Sequence, residues 1–232
     1  MRALRITLIV VVILAGLFVG ADRLAVNIVE SQAADKIKSR QGLTTTPHVS
    51  IGGFPFLTQV VSKDLDKVSV RIDDMETQTQ TGSTVRVDRM RATLHDVHIS
   101  GDFSSATADS ASGSSHITYA DLTAAAPPGL TVGYAGENEA GRGLVKVTGG
   151  LLGFQISANS TVSVVDGDTI RLRAETISGV GSLARWEDRL RHQIDIDRHV
   201  EGLPTGLRLD EVEVTQDGVD ISVAGNDVRL TD

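Results

Sequence analysis

Three groups of residues have types and spacings that chemistry could use. Gly179-Val180-Gly181-Ser182-Leu183-Ala184 fits the G-x-G-x-x-G/A pattern, in which glycines let the backbone cradle a pyrophosphate. That role needs a parallel βαβ unit. Here Ile194-Asp195-Ile196-Asp197, short and charged, follows, so the stretch reads as a flexible turn into a helix. His95 and His98, and His192 with Asp195, Asp197 and His199, are of metal-ligating types. Strand residues three apart face opposite sides unless a bulge intervenes, and solvated surface histidines are the expectation. Asp73-Asp74 reads as a strand-end pair rather than an acid/base dyad. The chain has no cysteine and contains no G-x-S-x-G, H-E-x-x-H or P-loop motif. No catalytic group, metal or cofactor is expected, and the chain reads as a non-enzyme.

The elements around these residues point elsewhere. Met1-Arg2-Ala3-Leu4-Arg5 is a short basic start, and Ile6 to Ala21 carries no charge. As a helix, Leu4 to Gly20 spans about 25 Å, slightly short of a bilayer core of roughly 30 Å. Residues 1–21 are therefore a transmembrane anchor or a signal peptide. Val19-Gly20-Ala21 would suit a peptidase, but the helical pattern runs on past Ala21, which favours the anchor. Arg2 and Arg5 stay on the cytoplasmic side, so residues 22–232 form an exported domain on the periplasmic side of the cytoplasmic membrane, in the cell envelope. That domain holds 20 basic and 30 acidic side chains. Such an anionic surface excludes general nucleic-acid binding and adsorption to anionic lipid by charge alone.

Residues 22–41 read as a helix, with Leu24, Ile28, Ala34 and Ile37 near one face and Val26, Val29 and Ala33 beside it. From Pro47 onward, period-two alternation dominates: Val68, Val70 and Ile72; Val85 and Val87; Val145 and Val147; Val219, Ile221 and Val223. One wet and one buried face mean antiparallel sheet, with about eight strands. The phase slips between Val87 and Met90, again between Leu94 and Val97, and between Leu209 and Val212. Each slip predicts a bulge or bend. Leu65-Asp66-Lys67-Val68, Leu94-His95-Asp96-Val97 and Leu209-Asp210-Glu211-Val212 share this feature as a weak repeat. Residues 100–116, rich in Ser, Ala and Gly, are expected to form a mobile loop or weak strand. Thr118 caps a short helix that Pro127-Pro128-Gly129 stops, and a second helix is expected over Ser182–Gln193. Pro204-Thr205-Gly206 turns into the last two strands, joined through Asp217-Gly218.

What remains is an apolar inventory. In Ile51–Val61 two glycines precede Phe54-Pro55-Phe56, and these rings are two of only four phenylalanines beyond the leader. They are either the core side chains of an edge strand or the rim of an apolar interior. Gly149-Gly150-Leu151-Leu152-Gly153-Phe154 echoes the pattern. An antiparallel sheet bent around a helix, with such rims, can enclose an acyl chain and gain about 0.8 kcal/mol per buried CH₂. The candidate lipid-binding residues are Phe54, Phe56, Leu57, Leu152, Phe154, Trp186 and Leu190. Lys63, Arg185 and Arg189 are the headgroup candidates.

Gly53-Phe54-Pro55-Phe56-Leu57-Thr58-Gln59, Thr118-Tyr119-Ala120-Asp121-Leu122, Leu203-Pro204-Thr205-Gly206-Leu207, Asp217-Gly218-Val219 and Val228-Arg229-Leu230 together resemble the LmeA-like phospholipid-binding proteins of actinobacteria. The resemblance covers about residues 22–230. It implies an α+β fold in which a strongly curved antiparallel sheet wraps around a long helix, similar to tubular lipid-binding domains. It further implies a phosphatidylinositol-type phospholipid as ligand and a role in envelope lipoglycan (mannan) synthesis, with envelope glycosyltransferases as possible partners. The alternatives are a structural or adaptor domain of the envelope with a filled core, and an enzyme acting on glycolipid through Asp73, Asp74, Asp195 and Asp197.

Overall fold

The computed structural model describes residues 2–78, 84–101, 105–151, 154–179, 195–200 and 202–231. The chain begins with one uninterrupted helix, α1 (Arg2–Gln41), so the leader and the helix predicted from residue 22 are a single element. Its large apolar side chains from Leu4 to Val19 are exposed. By length and composition it could cross a membrane, and a signal helix would have the same character. At Asp22 the surroundings change, and this carboxylate is 0% exposed.

The packed face of α1 keeps Ala34 and the half-buried Ile37 of the predicted one but departs from it near the start of the domain. Val26 and Ala34 are buried, whereas Leu24 is 66% and Ile28 56% exposed. Polar anchors, which apolar periodicity does not report, fix the rotation of the helix. Asp22 Oδ1 accepts the Leu57 N–H at 2.9 Å and Glu30 Oε1 accepts the Ile51 N–H at 2.7 Å. Ile51 lies in β1 (His48–Gly52) and Leu57 in the first turn of α2 (Phe56–Ser62). Pro55, at the N-cap of α2, offers no side-chain acceptor, so Asp22 supplies one from another helix. Gln59 completes the corner: its amide donates to the Gly52 carbonyl and its Oε1 accepts the Asp66 N–H.

Eleven strands are present among the described residues, in two antiparallel sheets rather than one, and neither is closed. The first sheet has the order β1, β2 (Asp64–Gln78), β3 (Thr84–Ile99), β4 (Ser105–Thr118), β11 (Gly218–Thr231), β10 (Leu207–Val214). Here the expectation for residues 100–116 is corrected. Ser105–Thr118 is a long interior strand paired to β3 on one side and β11 on the other. α1 packs against β1 and α2, at one edge of this sheet. Val26, Phe56, Leu65, Val97 and Ala108 form the buried layer there.

The predicted phase slips are real but of two kinds. In β10 the register shifts between Leu209 and Glu211, a bulge. In β2, β3, β4 and β11 no residue is inserted. Pairing lapses at Asp66, Asp96, Asp109 and Asp227, which lie in one row across the four strands, and resumes in the same register. Asp96 and Asp227 have positive φ, 50° and 51°, on alternate strands. That region is least unfavourable for Asp and Asn among non-glycine residues. The next row, Lys67, His95, Ser110 and Asn226, also lies on the wet side, and the two rows form a crease.

The second sheet runs β5 (Leu130–Glu137), β6 (Gly143–Leu151), β7 (Phe154–Val165), β8 (Thr169–Ser178), β9 (Ile196–His199). α3 (Tyr119–Ala125) joins the sheets, with Thr118 Oγ1 accepting the Asp121 N–H as the predicted cap. Tyr119 donates its phenol to the Thr215 carbonyl, and Tyr119 and Leu122 pack with Val145, Val214 and Val219. The helix expected over Ser182–Gln193 lies outside the described residues.

Candidate functional site

The apolar face of the six-stranded sheet carries an elongated trough of about 380 Å³, within the size range of ligand pockets. Strand alternation builds it. Met90, Ala92 and Leu94 of β3 form one wall, and Ile221 and Val223 of β11 form the other. Between them β4 contributes Ala111 to Ser115, all small, with Ala111, Gly113 and Ser115 in phase with the walls, so the middle strand is a low floor. Gly113 has a steric reason to be there: a Cβ would stand 2.8 Å from Val223 Cγ2 and 3.3 Å from the Arg91 carbonyl oxygen.

A strap formed by Gly202–Leu207 lies over one side of the trough, with Leu203, Pro204 and Leu207 among its lining residues. Its seat is a close backbone crossing. A Cβ on Gly225 would come within 2.0 Å of the Gly206 carbonyl oxygen, and one on Gly206 within 2.6 Å of the Asn226 oxygen. Gly206 also has φ 95°, and the Arg229 N–H donates to the Thr205 carbonyl at 3.0 Å. Towards α1 the trough meets the buried layer. Leu94 packs on that layer, and Val228, 1% exposed, pairs with Ala108 inside it.

The structure separates the residues named from the sequence. Phe56 is 3% exposed and fills the layer between α1 and the sheet. Phe54, two residues earlier, is 53% exposed with the Arg23 guanidinium 5.2 Å above its ring. Leu57 is half-buried at the Asp22 contact. Lys63 ends α2 with φ 64°, and its ammonium donates to the Gly101 carbonyl at 2.9 Å. Gly149-Gly150 belongs to β6, so the second glycine-led rim is a hairpin end of the other sheet. Phe154 opens β7, and its side chain lies outside the described residues, as do Leu152, Arg185, Trp186, Arg189 and Leu190.

The polar candidates are held in neighbouring contacts. Asp73 accepts from Arg71 Nε at 3.1 Å, and Asp74 pairs with Arg86. Asp197 accepts two hydrogen bonds from Arg171, each at 3.0 Å, which hold its carboxyl below the usual range with help from Arg173. Asp195 accepts the Ala174 N–H. Asp73 and Asp74 belong to the first sheet, while Asp195 and Asp197 border the second, so no common cleft gathers them. Among the described residues no group of His, Asp and Glu is placed to hold a metal. His98 and His95 both lie on the wet face, because the crease reverses the alternation between them. Gly179 follows β8, an antiparallel strand, which removes the parallel unit that a dinucleotide site requires.

Sequence reasoning missed the trough floor. Ala111, Gly113 and Ser115 carry no apolar bulk, and their absence of bulk is what the site uses. The stretch from Leu203 to Leu207 reads in the sequence as the turn into the last two strands, and it leads into β10 while also forming the strap. A family model described as LmeA-like phospholipid-binding matches residues 20–224. No curated protein and no solved structure matches the chain.

Proposed function

The chain belongs to the LmeA-like phospholipid-binding family, and from that premise we propose that it is an exported, membrane-tethered protein that lays a phospholipid acyl chain in the trough between β3 and β11. The observation that carries this reading is the trough itself: a row of small side chains between two apolar walls. Side chains fill an ordinary sheet face, and a stretch of floor without them leaves apolar surface for a ligand. In this reading the tube of a sheet wrapped around the helix is replaced by an open trough under a strap.

α1 serves as anchor, and Arg2 and Arg5 set its orientation so that the sheets stand on the periplasmic side. Phe54, Leu57, Leu152, Phe154, Trp186 and Leu190 are proposed lipid contacts outside the trough, and Phe56 supports its inner end. The headgroup falls to Lys63, Arg185 and Arg189. A phosphatidylinositol-type lipid and support of lipoglycan synthesis alongside envelope glycosyltransferases are the finer parts of the proposal, carried by the resemblance alone. An adaptor with a filled core is the competing reading, and the unfilled floor argues against it.

The test is native mass spectrometry of the full chain released from detergent, with phospholipid-diazirine crosslinking to locate the lipid. Adducts on β3, β4 or β11 peptides are expected. A chain that carries no phospholipid, or adducts confined to α1, would overturn the reading.

A further inference from the structure

The geometry points to a second lipid contact, distinct from the trough and resting on the reading of α1 as a membrane anchor: α2 and the Gly53–Pro55 turn seat in the bilayer surface beside α1. Three observations coincide at this corner. First, a bilayer core of roughly 30 Å takes about 20 helical residues. Counted from Leu4, between the two arginines of the basic start, the span ends near Arg23 rather than at Ala21. Leu24 and Ile28, 66% and 56% exposed, continue the exposed apolar surface past that point.

Second, this level of α1 is where α2 is tied. Asp22 accepts the Leu57 N–H at 2.9 Å, and Val26 packs on Phe56 within one buried layer. β1 is tied at Glu30, eight residues further along, about 12 Å farther from the membrane. Of these two ties, the α2 corner is the nearer to the lipid.

Third, α2 buries Phe56 and Gln59 and turns apolar side chains outward. Val61 is 85%, Val60 42% and Phe54 53% exposed. Isolated exposed valines are ordinary on a protein surface. Three apolar groups level with the end of an apolar span are continuous with it, and the bilayer is the partner that covers both. The flanking charges suit that occupant. Arg23 lies over the Phe54 ring and Lys63 ends the helix, so cationic groups border the apolar patch at headgroup level. Of the carboxylates near this corner, Asp22 is buried in the protein, while Asp66, beside Gly53, and Asp64, paired with His98, are exposed on the wet face of the sheet. Seated this way, the corner holds the inner end of the trough next to the leaflet from which a lipid would come.

The chain has no cysteine, so single probes are placed without background. Val61→Cys, Phe54→Cys and, on the opposite edge of the sheet, Glu213→Cys are labelled with the environment-sensitive fluorophore NBD in the full chain. The labelled proteins are reconstituted into vesicles of phosphatidylcholine and phosphatidylglycerol. The first two probes are expected to shift to the blue and to be quenched by nitroxide lipids labelled near the headgroup more than by those labelled deep in the chain, as for an apolar face about 5–10 Å into the boundary. The probe at position 213 is expected to stay in water. A water-exposed probe at position 61 overturns the inference. So does a disulfide-linked dimer of unlabelled Val61→Cys formed in the vesicles under a mild oxidant such as copper phenanthroline, which would make the patch an interface between copies. A chain that does not enter the vesicles overturns it together with the anchor. Crosslinking to the trough on the same preparation separates the two readings: trough adducts with a wet probe at position 61 remove only the surface contact.

Discussion

Ala111→Phe separates an occupied trough from a merely open sheet face. Ala111 stands on the floor, paired with Leu94 on one side and Gly225 on the other. A benzyl side chain there rises into the trough of about 380 Å³. At about 0.8 kcal/mol per buried CH₂, a ring displacing roughly five methylenes removes about 4 kcal/mol of acyl burial, near a thousandfold in Kd. The apo fold should not suffer, because the ring fills space that no side chain of the described residues occupies. The assay is competition of a fluorescent phospholipid against the parent and variant chains in detergent micelles, with thermal unfolding measured in parallel. The expected result is near-complete loss of competition at unchanged Tm. Binding within threefold of the parent would refute the placement of the acyl chain. A fall in Tm above about 6 °C, on the order of 2 kcal/mol for a domain this size, would show that the floor is already packed.

Three further outcomes test the supports of the site. Gly225→Ala puts a Cβ 2.0 Å from the Gly206 carbonyl oxygen; a loss of about 1–3 kcal/mol is expected, with faster proteolysis in the Leu203–Leu207 strap. An intact strap in limited proteolysis would mean that the crossing does not hold it. Asp22→Ala removes the acceptor at the start of α2 and should cost about 1–2 kcal/mol in denaturant unfolding, whereas Asp22→Asn, which keeps an acceptor oxygen, should cost less; equal losses would assign the effect to charge instead. His98 is held above its ordinary value of 6.5 by its hydrogen bond to Asp64 at 2.7 Å, with Asp109 adding charge. Its protonated form favours the fold, so that contribution is complete below about pH 6.5 and is lost as pH rises through the raised value. NMR titration should show the elevated midpoint, and Asp64→Asn should lower it; an unmoved midpoint would leave Asp64 without that role.

The sequence was most legible where one physical signal acted alone. Alternation in Val68–Val70–Ile72 and Val219–Ile221–Val223 located strands, and Thr118 with Asp121 located a helix start. It was least legible where the partner decides. Ser105–Thr118 has little apolar bulk and several residues of weak strand preference, so by itself it resembles a loop. It is a strand because β3 and β11 saturate its backbone on both sides, and strand preference follows context more than residue type. The informative signal was the phase of its small residues: Ala106 and Ala108, then Ala111, Gly113 and Ser115, the same slip that β3 shows. The rotation of α1 was illegible for a different reason. Asp22 and Glu30 fix it through backbone donors 35 and 21 residues away, and a helical apolar pattern contains no record of them. In the Gly53–Leu57 stretch the two rings are alike in sequence and opposite in place, one in the core and one exposed.

The weak repeat that the sequence shows acquires a physical meaning from the register. Leu65-Asp66-Lys67-Val68 and Leu94-His95-Asp96-Val97 lie antiparallel to each other, Leu65 opposite Val97 and Val68 opposite Leu94. They match because each is the same crease read in opposite directions. A crease survives only if every strand reverses its alternation at the same level, since one strand slipping alone would turn its apolar residues outward. β4 and β11 meet that condition with Asp109 and Asp227. The consequence is functional. Two successive wet rows lengthen the outer face, and apolar rows stand on both sides of them on the inner face. Leu65, Val97 and Ala108 belong to the layer under α1 with Val68 and Leu94 packed against it, while Leu94 and Ala111 also line the trough, as Val228 does on β11. The layer filled by Phe56 and Val26 and the trough are therefore neighbouring parts of one apolar face that meet at the crease, with Leu94 shared between them and the trough reaching past the crease along β11 to Val228 and Leu230.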